Sequence, residues 1–227
     1  MYNSDILVLC GGQGTRLRPV FSEAKVLYPF GGKPFLITLY EQFKQLTNGR
    51  IILCTGYKSE EIEKVCKNEN LNVFISKEQM TVGTGGAIIN ALKLIQTEFF
   101  VCINGDTYIS ECDIAKIFSI SCNRNIVLGC KQQPSVIDCG VVKLNETLSI
   151  IRQKKINNDL VDAYSGLARV KTDLLSRELL REISFEDMIS GLKLPSDQAE
   201  IFHLAGQFYD YGTPEAARNF REKVDHS

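Results

Sequence analysis

The sequence predicts an α/β fold with a mostly parallel, Rossmann-like central sheet and helices on both faces. In the first half of the chain, short apolar runs alternate with amphipathic ones, which is the pattern of strands and helices in consecutive βαβ units. A glycine-rich loop at 11–16 directly follows the first apolar run, and the triplet Asn104-Gly105-Asp106 follows a later one. Because ligands of such sheets bind beyond the carboxyl ends of the strands, we expect both segments to meet at one edge of the sheet.

The periodicity of the first half places its elements. Strands are predicted at residues 6–10, 50–54, 71–75 and 99–103. Helices are predicted at residues 34–46, 59–67 and 85–96. Glu60 and Glu61 fall in the first turn of the second helix, where acidic side chains suit the positive end of the helix dipole. This alternation indicates parallel strands joined by right-handed crossovers.

The second half is less regular. Strands are predicted at 126–130, 140–144 and 148–151, and helices at 172–180, 185–192 and 214–223. Thr213 followed by Pro214 predicts a helix cap with proline at the first helical position. We expect this half to pack on the same sheet, so that residues 1–227 form one domain.

Composition excludes several classes of protein. Of the 227 residues, 44% are hydrophobic, which is enough for a globular core. The net charge of −1, from 26 basic and 27 acidic side chains, argues against nucleic acid as a partner. No run is long enough to span a membrane, and the polar start does not resemble a signal peptide. We therefore expect a cytoplasmic protein.

The eight cysteines do not indicate disulfides or zinc. There is no CxxC pair, and Cys10, Cys54, Cys102 and Cys130 lie in or next to predicted strands, where cysteine acts as a small hydrophobe. Two histidines are too few for a His-rich metal site. Reduced thiols in the cytosol are the simplest interpretation.

The strongest motif is the segment 10–19, CGGQGTRLRP. Its three glycines, Gly11, Gly12 and Gly14, allow backbone to approach a ligand and leave N–H groups free to bind phosphate oxygens. Arg16 and Arg18 add positive charge, and a guanidinium can make a forked contact to phosphate. The alternative is a glycine turn with two solvated arginines.

Two better-known glycine loops do not match. The dinucleotide motif G-x-G-x-x-G fails because Leu17 occupies its third glycine position. The P-loop motif fails because Gly31-Gly32-Lys33 is followed by Pro34, which has no hydroxyl to hold magnesium. An NAD-dependent dehydrogenase is therefore disfavoured.

Together, the motifs resemble the sugar-phosphate nucleotidylyltransferase family. The family pattern is G-G-x-G-T-R-L-x-P, a lysine, G-x-K-P, N-G-D after a strand, and D-x-G-T-P-E near the C-terminus. Here it corresponds to segments 11–19, Lys25, 32–34, 104–106 and 210–215. The segment 82–87, VGTGGA, is similar to the L-G-T-G-G-A of the short D-glycero-α-D-manno-heptose 1-phosphate guanylyltransferases.

The resemblance implies a reaction in which a sugar 1-phosphate oxygen attacks the α-phosphorus of an NTP and pyrophosphate leaves. Positioning and charge neutralisation carry most of such a step, with Mg²⁺ bridging the phosphates. The partners are then an NTP and a sugar 1-phosphate, and a homodimer is left open as the assembly. The NTP-binding half would span about 1–125 and the acceptor-binding half about 126–227.

Asp106 and Asp210 are the magnesium ligands that the resemblance implies, with Asp106 also catalytic. Asp106 follows a strand at the carboxyl edge of the sheet, and Gly105 leaves room beside it. The alternative for Asp106 is a turn aspartate that caps the next helix. The alternative for Asp210 is a residue of the turn that leads into the last helix.

Two cations complete the implied catalytic group. Arg16 is expected at the β- and γ-phosphates, and Lys25 beside the α-phosphate. The family has P-K-P around this lysine, whereas this chain has Ala24-Lys25-Val26, so the loop lacks both rigid prolines. An ordinary solvated lysine is the alternative.

The remaining expected site residues bind the nucleotide and the acceptor. The nucleotide-binding set is Leu9, Gly11, Gly12, Gly14, Thr15, Arg16, Glu78, Gly83 and Thr84. Glu78 could accept from guanine N1–H and N2–H, or be a solvated loop acid. The acceptor-binding set is Gly140, Gln153, Lys154, Tyr164 and Ser165, for which ordinary sheet packing is the alternative. Gln153 stands where the family has an acid, and Ser165 lies in a Y-S-G segment where the family has N-A-G.

Three functions remain at this stage. The leading one is guanylyl transfer to a heptose or mannose-like 1-phosphate. The departures at Ala24, Gln153 and Ser165 keep open cytidylyl or uridylyl transfer to another phosphorylated acceptor. They also keep open a nucleotide-sugar sensor without turnover, although two metal-binding carboxylates argue for an enzyme.

Overall fold

The computed structural model describes residues 1–120, 123–134, 139–153 and 159–224. The strands in these ranges are β1 Asp5–Leu9, β2 Pro29–Phe30, β3 Lys33–Pro34, β4 Ile51–Thr55, β5 Phe74–Lys77, β6 Phe99–Asn104, β7 Thr107–Ile109, β8 Ile126–Pro134, β9 Gly140–Leu144, β10 Leu148–Arg152, β11 Leu160–Lys171, β12 Ala199–His203 and β13 Phe208–Asp210. The helices are α1 Phe35–Leu46, α2 Ser59–Asn68, α3 Gly83–Ala91, α4 Glu111–Ser119, α5 Phe185–Gly191 and α6 Pro214–Val224.

A large sheet organises the molecule in the order β10-β9-β11-β6-β1-β4-β5, with β8 paired to β11 and β12 to β8. β1 runs parallel to both β4 and β6, and β4 runs parallel to β5. The antiparallel pairings in this sheet belong to the second half, where β11 pairs with β6, β8 and β9. The prediction of an α/β fold with a mostly parallel central sheet is confirmed.

Hydrophobic packing covers both faces of the sheet. One cluster joins alternate residues of β1 and β6 to α1, α2, α4 and α6. The other joins the remaining residues of these strands to α3 and α5. Leu167 of β11 belongs to the first cluster and Ala168 to the second, so the second half is built into the same two-sided core. This supports the proposal of one domain.

The second half contains the largest differences from the predicted elements. β11 was not expected, because Gly166 with φ +82 interrupts its alternating pattern and produces a register shift between Tyr164 and Ala168. Residues 172–180 were expected to be helical, but only a 3₁₀ turn forms at Thr172–Leu175. Leu179 and Leu180 remain 80% and 55% exposed, so no apolar surface buries a longer helix there.

Helix α4 was also missed. Its first turn is capped by Ser110, whose hydroxyl accepts a hydrogen bond from the Asp113 backbone N–H. Among the described residues, no helix has the length and apolar character needed to cross a membrane. The described cysteines are all free thiols, as expected, and Cys122 lies outside the described residues.

Candidate active site

A cavity of about 260 Å³ opens at the carboxyl ends of β1 and β6. Its lining consists of Leu9, Cys10, Gly11, Gly12, Gln13, Gly14, Lys25, Val26, Glu78, Thr81, Gly83, Thr84, Ala87, Asn104, Gly105 and Asp106. Leu9 and Asn104 are register partners in the parallel β1–β6 pair, and the Gly105 N–H donates to the Leu9 carbonyl at 3.0 Å. The glycine-rich loop and the triplet at 104–106 therefore meet at one sheet edge, as predicted.

The glycine loop is held against the end of β4. The Cys10 N–H donates to the Cys54 carbonyl at 2.8 Å, and the Tyr57 N–H donates to the Gly11 carbonyl at 3.2 Å. Gly14 adopts φ +60, where the backbone turns back toward the arginines. A Cβ atom at Gly12 would meet nothing within 4 Å, so this part of the loop is open to a ligand.

Glu78 belongs to the cavity lining and lies against the glycine loop. A Cβ atom at Gly11 would lie 2.6 Å from Glu78 Oε1, so glycine at position 11 lets this carboxylate approach the loop without shifting. Burial raises the pKa of Glu78, and a hydrogen bond from the Val82 backbone N–H partly counters that effect. The half-buried acceptor lies where the resemblance predicts base recognition.

Lys25 and Asp106 form an ion pair within the cavity lining. The Lys25 Nζ donates to Asp106 Oδ2, and the two side chains are only 15% and 23% exposed. Because both groups also line the cavity, a bound phosphate could reach the ammonium group. Lys25 is thus placed among the site residues and not in bulk solvent.

Arg16 and Asp210 join this pair around Gly212. A Cβ atom at Gly212 would lie 2.9 Å from Asp210 Oδ1, 3.0 Å from Lys25 Nζ and 3.3 Å from Arg16 Nη2. The Gly212 N–H donates to Asp210 Oδ1 at 2.7 Å. A carboxylate, an ammonium and a guanidinium therefore surround one α-carbon, and a side chain there would displace at least one of them.

A short antiparallel pair brings Asp210 to Asp106. β13 pairs with β7 so that Asp210 lies opposite Thr107, the residue after Asp106. The Tyr211 N–H then donates to the Asp106 carbonyl at 3.2 Å, and the buried Tyr211 hydroxyl donates to the Gly105 carbonyl at 2.9 Å. Sequence reasoning missed Tyr211, although it lies inside the D-x-G-T-P-E segment.

The electrostatics of Asp210 reflect this arrangement. Asp210 is an exposed residue by its whole surface, but the groups packed around its carboxylate reduce the hydration of that group and, with the nearby Asp106 carboxylate, raise its pKa. Lys25, the Gly212 N–H and Arg16 oppose the shift. A divalent cation would relieve the electrostatic repulsion between these two carboxylates.

The donor set fits magnesium. Within the described part of the chain, no group of three or more His, Cys, Asp or Glu side chains could hold a metal. Mg²⁺ is commonly bound by one or two carboxylates together with substrate phosphates and water, and does not need a larger protein cage. Asp106 and Asp210 supply two such oxygen donors beside a cavity that could admit phosphates.

The remaining nucleotide residues fall into two groups. Gly83 and Thr84 line the cavity, but both also hold α3 against the start of α5. A Cβ atom at Gly83 would lie 2.5 Å from the Ile183 carbonyl oxygen, and Thr84 Oγ1 accepts from the Phe185 N–H at 2.8 Å. Thr15 lies outside the lining, at the start of the turn that carries Arg16.

The expected acceptor residues are only partly brought together. Gly140 lies next to Tyr164 and Glu186. A Cβ atom added at position 140 would lie 3.7 Å from the Cβ atom of Tyr164. Glu186 was not among the expected site residues. Tyr164 stacks on Phe185 with ring centroids 5.4 Å apart. Gln153 follows β10, and its N–H donates to the Cys139 carbonyl. Lys154 lies outside the described residues.

Ser165 differs from the expectation. It is 3% exposed, and its hydroxyl donates to the Gly129 carbonyl at 2.7 Å, so the side chain faces the interior of the sheet and not a sugar pocket. Its neighbour Gly166 instead faces the cavity lining, because a Cβ there would lie 2.4 Å from Asn104 Nδ2. Asn104, which was noted only as part of the triplet, is therefore an unexpected lining residue.

Comparison with known proteins identifies the family. The model of the MobA-like NTP transferase domain matches residues 6–135, which include the glycine loop, Lys25, Glu78 and Asp106. The chain belongs to this family. Its predicted class, a nucleotidyltransferase, is confirmed.

Relatives match nearly the whole chain. The D-glycero-alpha-D-manno-heptose 1-phosphate guanylyltransferase of Campylobacter jejuni is 33% identical over 221 residues, which cover 94% of this chain and 97% of that protein. The enzyme of the same name from Aneurinibacillus thermoaerophilus is 30% identical and covers 98% and 99%. The predicted resemblance to sugar-phosphate nucleotidylyltransferases is confirmed.

Solved structures agree. HddC from Yersinia pseudotuberculosis, in a crystal structure complexed with GMP-PN, superposes with a TM-score of 0.81 at 29% identity, covering 98% of this chain and 99% of that one. The inositol-1-phosphate CTP transferase from T. maritima has a TM-score of 0.76 at 16% identity, which establishes a common fold alone.

Proposed function

We propose that this protein transfers the guanylyl group of GTP to a heptose or mannose-like sugar 1-phosphate. An oxygen of the sugar phosphate attacks the α-phosphorus, the bond between the α-phosphorus and the bridging oxygen breaks, and pyrophosphate leaves. The observation that carries the proposal is a cluster of two cations and two carboxylates beside a glycine-lined cavity: Lys25 and Asp106 belong to the lining, and Arg16 and Asp210 approach Lys25 around Gly212. Guanine is favoured by Glu78 and by the guanylyltransferase names of the relatives.

The chain's own residues account for nucleotide binding. The N–H groups of the glycine loop and the guanidinium of Arg16 would hold the β- and γ-phosphates, while Lys25 would neutralise charge that develops at the α-phosphate. Glu78, with its half-buried oxygens next to Gly11, would accept from the N1–H and N2–H groups of guanine. Leu9, Gly12, Gly83 and Thr84 complete the lining on the nucleoside side.

Asp106 and Asp210 would hold Mg²⁺. When bound, the ion supplies charge neutralisation and alignment of the phosphate oxygens. Because Lys25 pairs with Asp106, an ion held by this carboxylate would compete with the ammonium group for it. The cytoplasm, where thiols stay reduced, suits the free cysteines.

The acceptor would bind on the side of β9 and β11. Gly140 and Tyr164 lie together there, and Gln153 directly follows the neighbouring strand β10. Lys154 is proposed as the contact to the sugar phosphate. Ser165 is not part of this pocket, because its hydroxyl is bonded to Gly129.

Pyrophosphate release in the presence of Mg²⁺ tests the proposal. GTP, CTP, UTP, ATP and dTTP would each be paired with heptose, mannose and glucose 1-phosphates. Preferred release with GTP and a heptose or mannose acceptor supports guanylyl transfer. Preference for CTP or UTP would replace the base assignment, and binding of nucleotide without any release would favour a sensor.

A further inference from the structure

The turn that carries Lys25 is tied to helix α2 by one side chain. The backbone N–H of Ala24 donates to Glu61 Oε2 at 2.9 Å. The Ala24 carbonyl accepts from the Leu27 N–H at 2.8 Å, which closes the 3₁₀ turn Lys25–Leu27. Glu61 therefore bonds directly to the residue that begins this turn.

Glu61 is itself held in place. Its second oxygen, Oε1, accepts from Lys58 Nζ at 2.6 Å, so both carboxylate oxygens have partners. The hydrogen bond to Ala24 is charge-assisted and is stronger than a bond between neutral groups. Ala24 is 1% exposed, so water does not compete readily for its N–H.

The conformation of Ala24 explains why such a bond is useful. The φ angle of Ala24, −59°, lies where a proline ring would fix it, and the ψ angle is 130°. An alanine side chain does not fix φ in this way. Alanine instead offers an N–H, which proline lacks, and this is the group that Glu61 binds. The turn thus has the geometry of a proline turn with a hydrogen bond in place of the ring.

We propose that Glu61 is a positioning residue for Lys25: its carboxylate fixes the Ala24 N–H and so aims the lysine at Asp106 and the cavity. This inference rests on the proposed function. The Tyr211 hydroxyl also approaches the turn, at 3.4 Å from the Lys25 carbonyl oxygen. Small displacements of a catalytic group can reduce rates by up to about a hundredfold.

A rescue experiment separates positioning from general structure. Glu61→Ala is expected to lower kcat about tenfold with little change in KM for GTP. The matched control is Glu60→Ala, because Glu60 lies in the same helical turn but pairs with the exposed Lys77 at 2.7 Å. Glu60→Ala should leave kcat unchanged, which controls for loss of an acid at the helix N-terminus.

The double variant Glu61→Ala/Ala24→Pro is the decisive one. Proline should restore the fixed φ of the turn, and it has no N–H group that would need an acceptor once the carboxylate is removed. We expect kcat to return to within about threefold of the wild type. A double variant no better than Glu61→Ala, with an unchanged melting temperature, would overturn the proposal.

Amide hydrogen exchange at Ala24 provides a readout that does not depend on turnover. Exchange of this N–H should be faster in Glu61→Ala than in the wild type, and unchanged in Glu60→Ala. If the wild type lacks turnover, the proposed function fails, while the exchange result still tests the Glu61–Ala24 link. If the wild type turns over and Glu61→Ala changes neither kcat nor exchange, the positioning role is refuted.

Discussion

The backbone N–H of Tyr211 donates a 3.2 Å hydrogen bond to the carbonyl of Asp106, and this contact sets the spacing of the two aspartates. It extends the β7–β13 ladder by one residue beyond the pair of Thr107 and Asp210. The buried Tyr211 hydroxyl adds a bond to the Gly105 carbonyl. The spacing of the two proposed metal ligands thus depends on Tyr211, which is not part of the cavity lining.

Tyr211→Phe should weaken both folding and metal binding. Removing the hydroxyl takes a hydrogen bond away from the buried Gly105 carbonyl, and the free energy of unfolding should fall by about 1–3 kcal/mol. Urea unfolding and magnesium titration would measure the two effects. Tyr40→Phe is the control, because its hydroxyl accepts only an exposed 3.2 Å bond from the Asn72 N–H. Equal losses in both variants would contradict the special role of Tyr211.

Gly212→Ala should abolish most activity without unfolding the protein. The added methyl group would sit within 3.3 Å of Asp210, Lys25 and Arg16 atoms, so at least one charged group must move. We expect kcat to fall about a hundredfold. Gly191→Ala, where a Cβ meets nothing within 4 Å, should leave kcat unchanged. Full activity of Gly212→Ala would show that the cluster is looser than the structure indicates.

Arg16→Ala should remove a contact that stabilises the leaving pyrophosphate. The expected loss is roughly 2–4 kcal/mol in the transition state, or about a hundredfold or more in kcat/KM. Steady-state kinetics with GTP would measure it, with Arg177→Ala as an exposed control outside the cavity lining. A loss under about threefold would exclude Arg16 from the transition-state site.

Magnesium affinity should depend on pH through Asp210. Its pKa is raised by loss of hydration and by Asp106, so protonation competes with the metal at a higher pH than for an ordinary aspartate. Calorimetric titration across the acidic range should show weaker binding as the pH falls, and Asp210→Asn should remove the part of this dependence that comes from Asp210. A wild-type affinity that is constant over that range would contradict the assignment of Asp210 as a ligand.

The raised pKa of Asp210 also predicts that the free energy of unfolding depends on pH when no metal is bound. Between the ordinary aspartate pKa and the raised one, the folded protein holds a proton that the unfolded chain has lost, so stability falls as the pH rises. The difference in unfolding free energy between Asp210→Asn and the wild type should therefore grow through this interval. Chemical denaturation at several pH values measures it, and a constant difference would argue against the shift.

Local patterns predicted the part of the site that is built from local structure. The glycine loop and the triplet at 104–106 each follow a strand of the same parallel sheet, so topology alone places them together. The association of Asp106 with Asp210 came only from the family resemblance. It depends on β7 and β13, which are three-residue strands far apart in sequence with little periodicity of their own.

Other features were beyond sequence reasoning because they are tertiary contacts. The bond from Ala24 to Glu61 spans 37 positions and joins a backbone group to a side chain, so no pattern signals it. Ser165 was expected in a sugar pocket, but the register shift around Gly166 turns its hydroxyl toward Gly129. Glu186 reaches Gly140 because α5 packs beside β10, the strand paired with β9.

The most direct test of the proposed function is the formation of a GDP-sugar from GTP and D-glycero-α-D-manno-heptose 1-phosphate in the presence of magnesium. Mass spectrometry would follow the product in the wild type, in Asp106→Ala and in the exposed control Asp173→Ala. We expect GDP-sugar to form in the wild type and in Asp173→Ala, and its rate of formation to fall at least about a hundredfold in Asp106→Ala. Undiminished product formation by Asp106→Ala would contradict the proposal that catalysis depends on the Arg16, Lys25, Asp106 and Asp210 cluster.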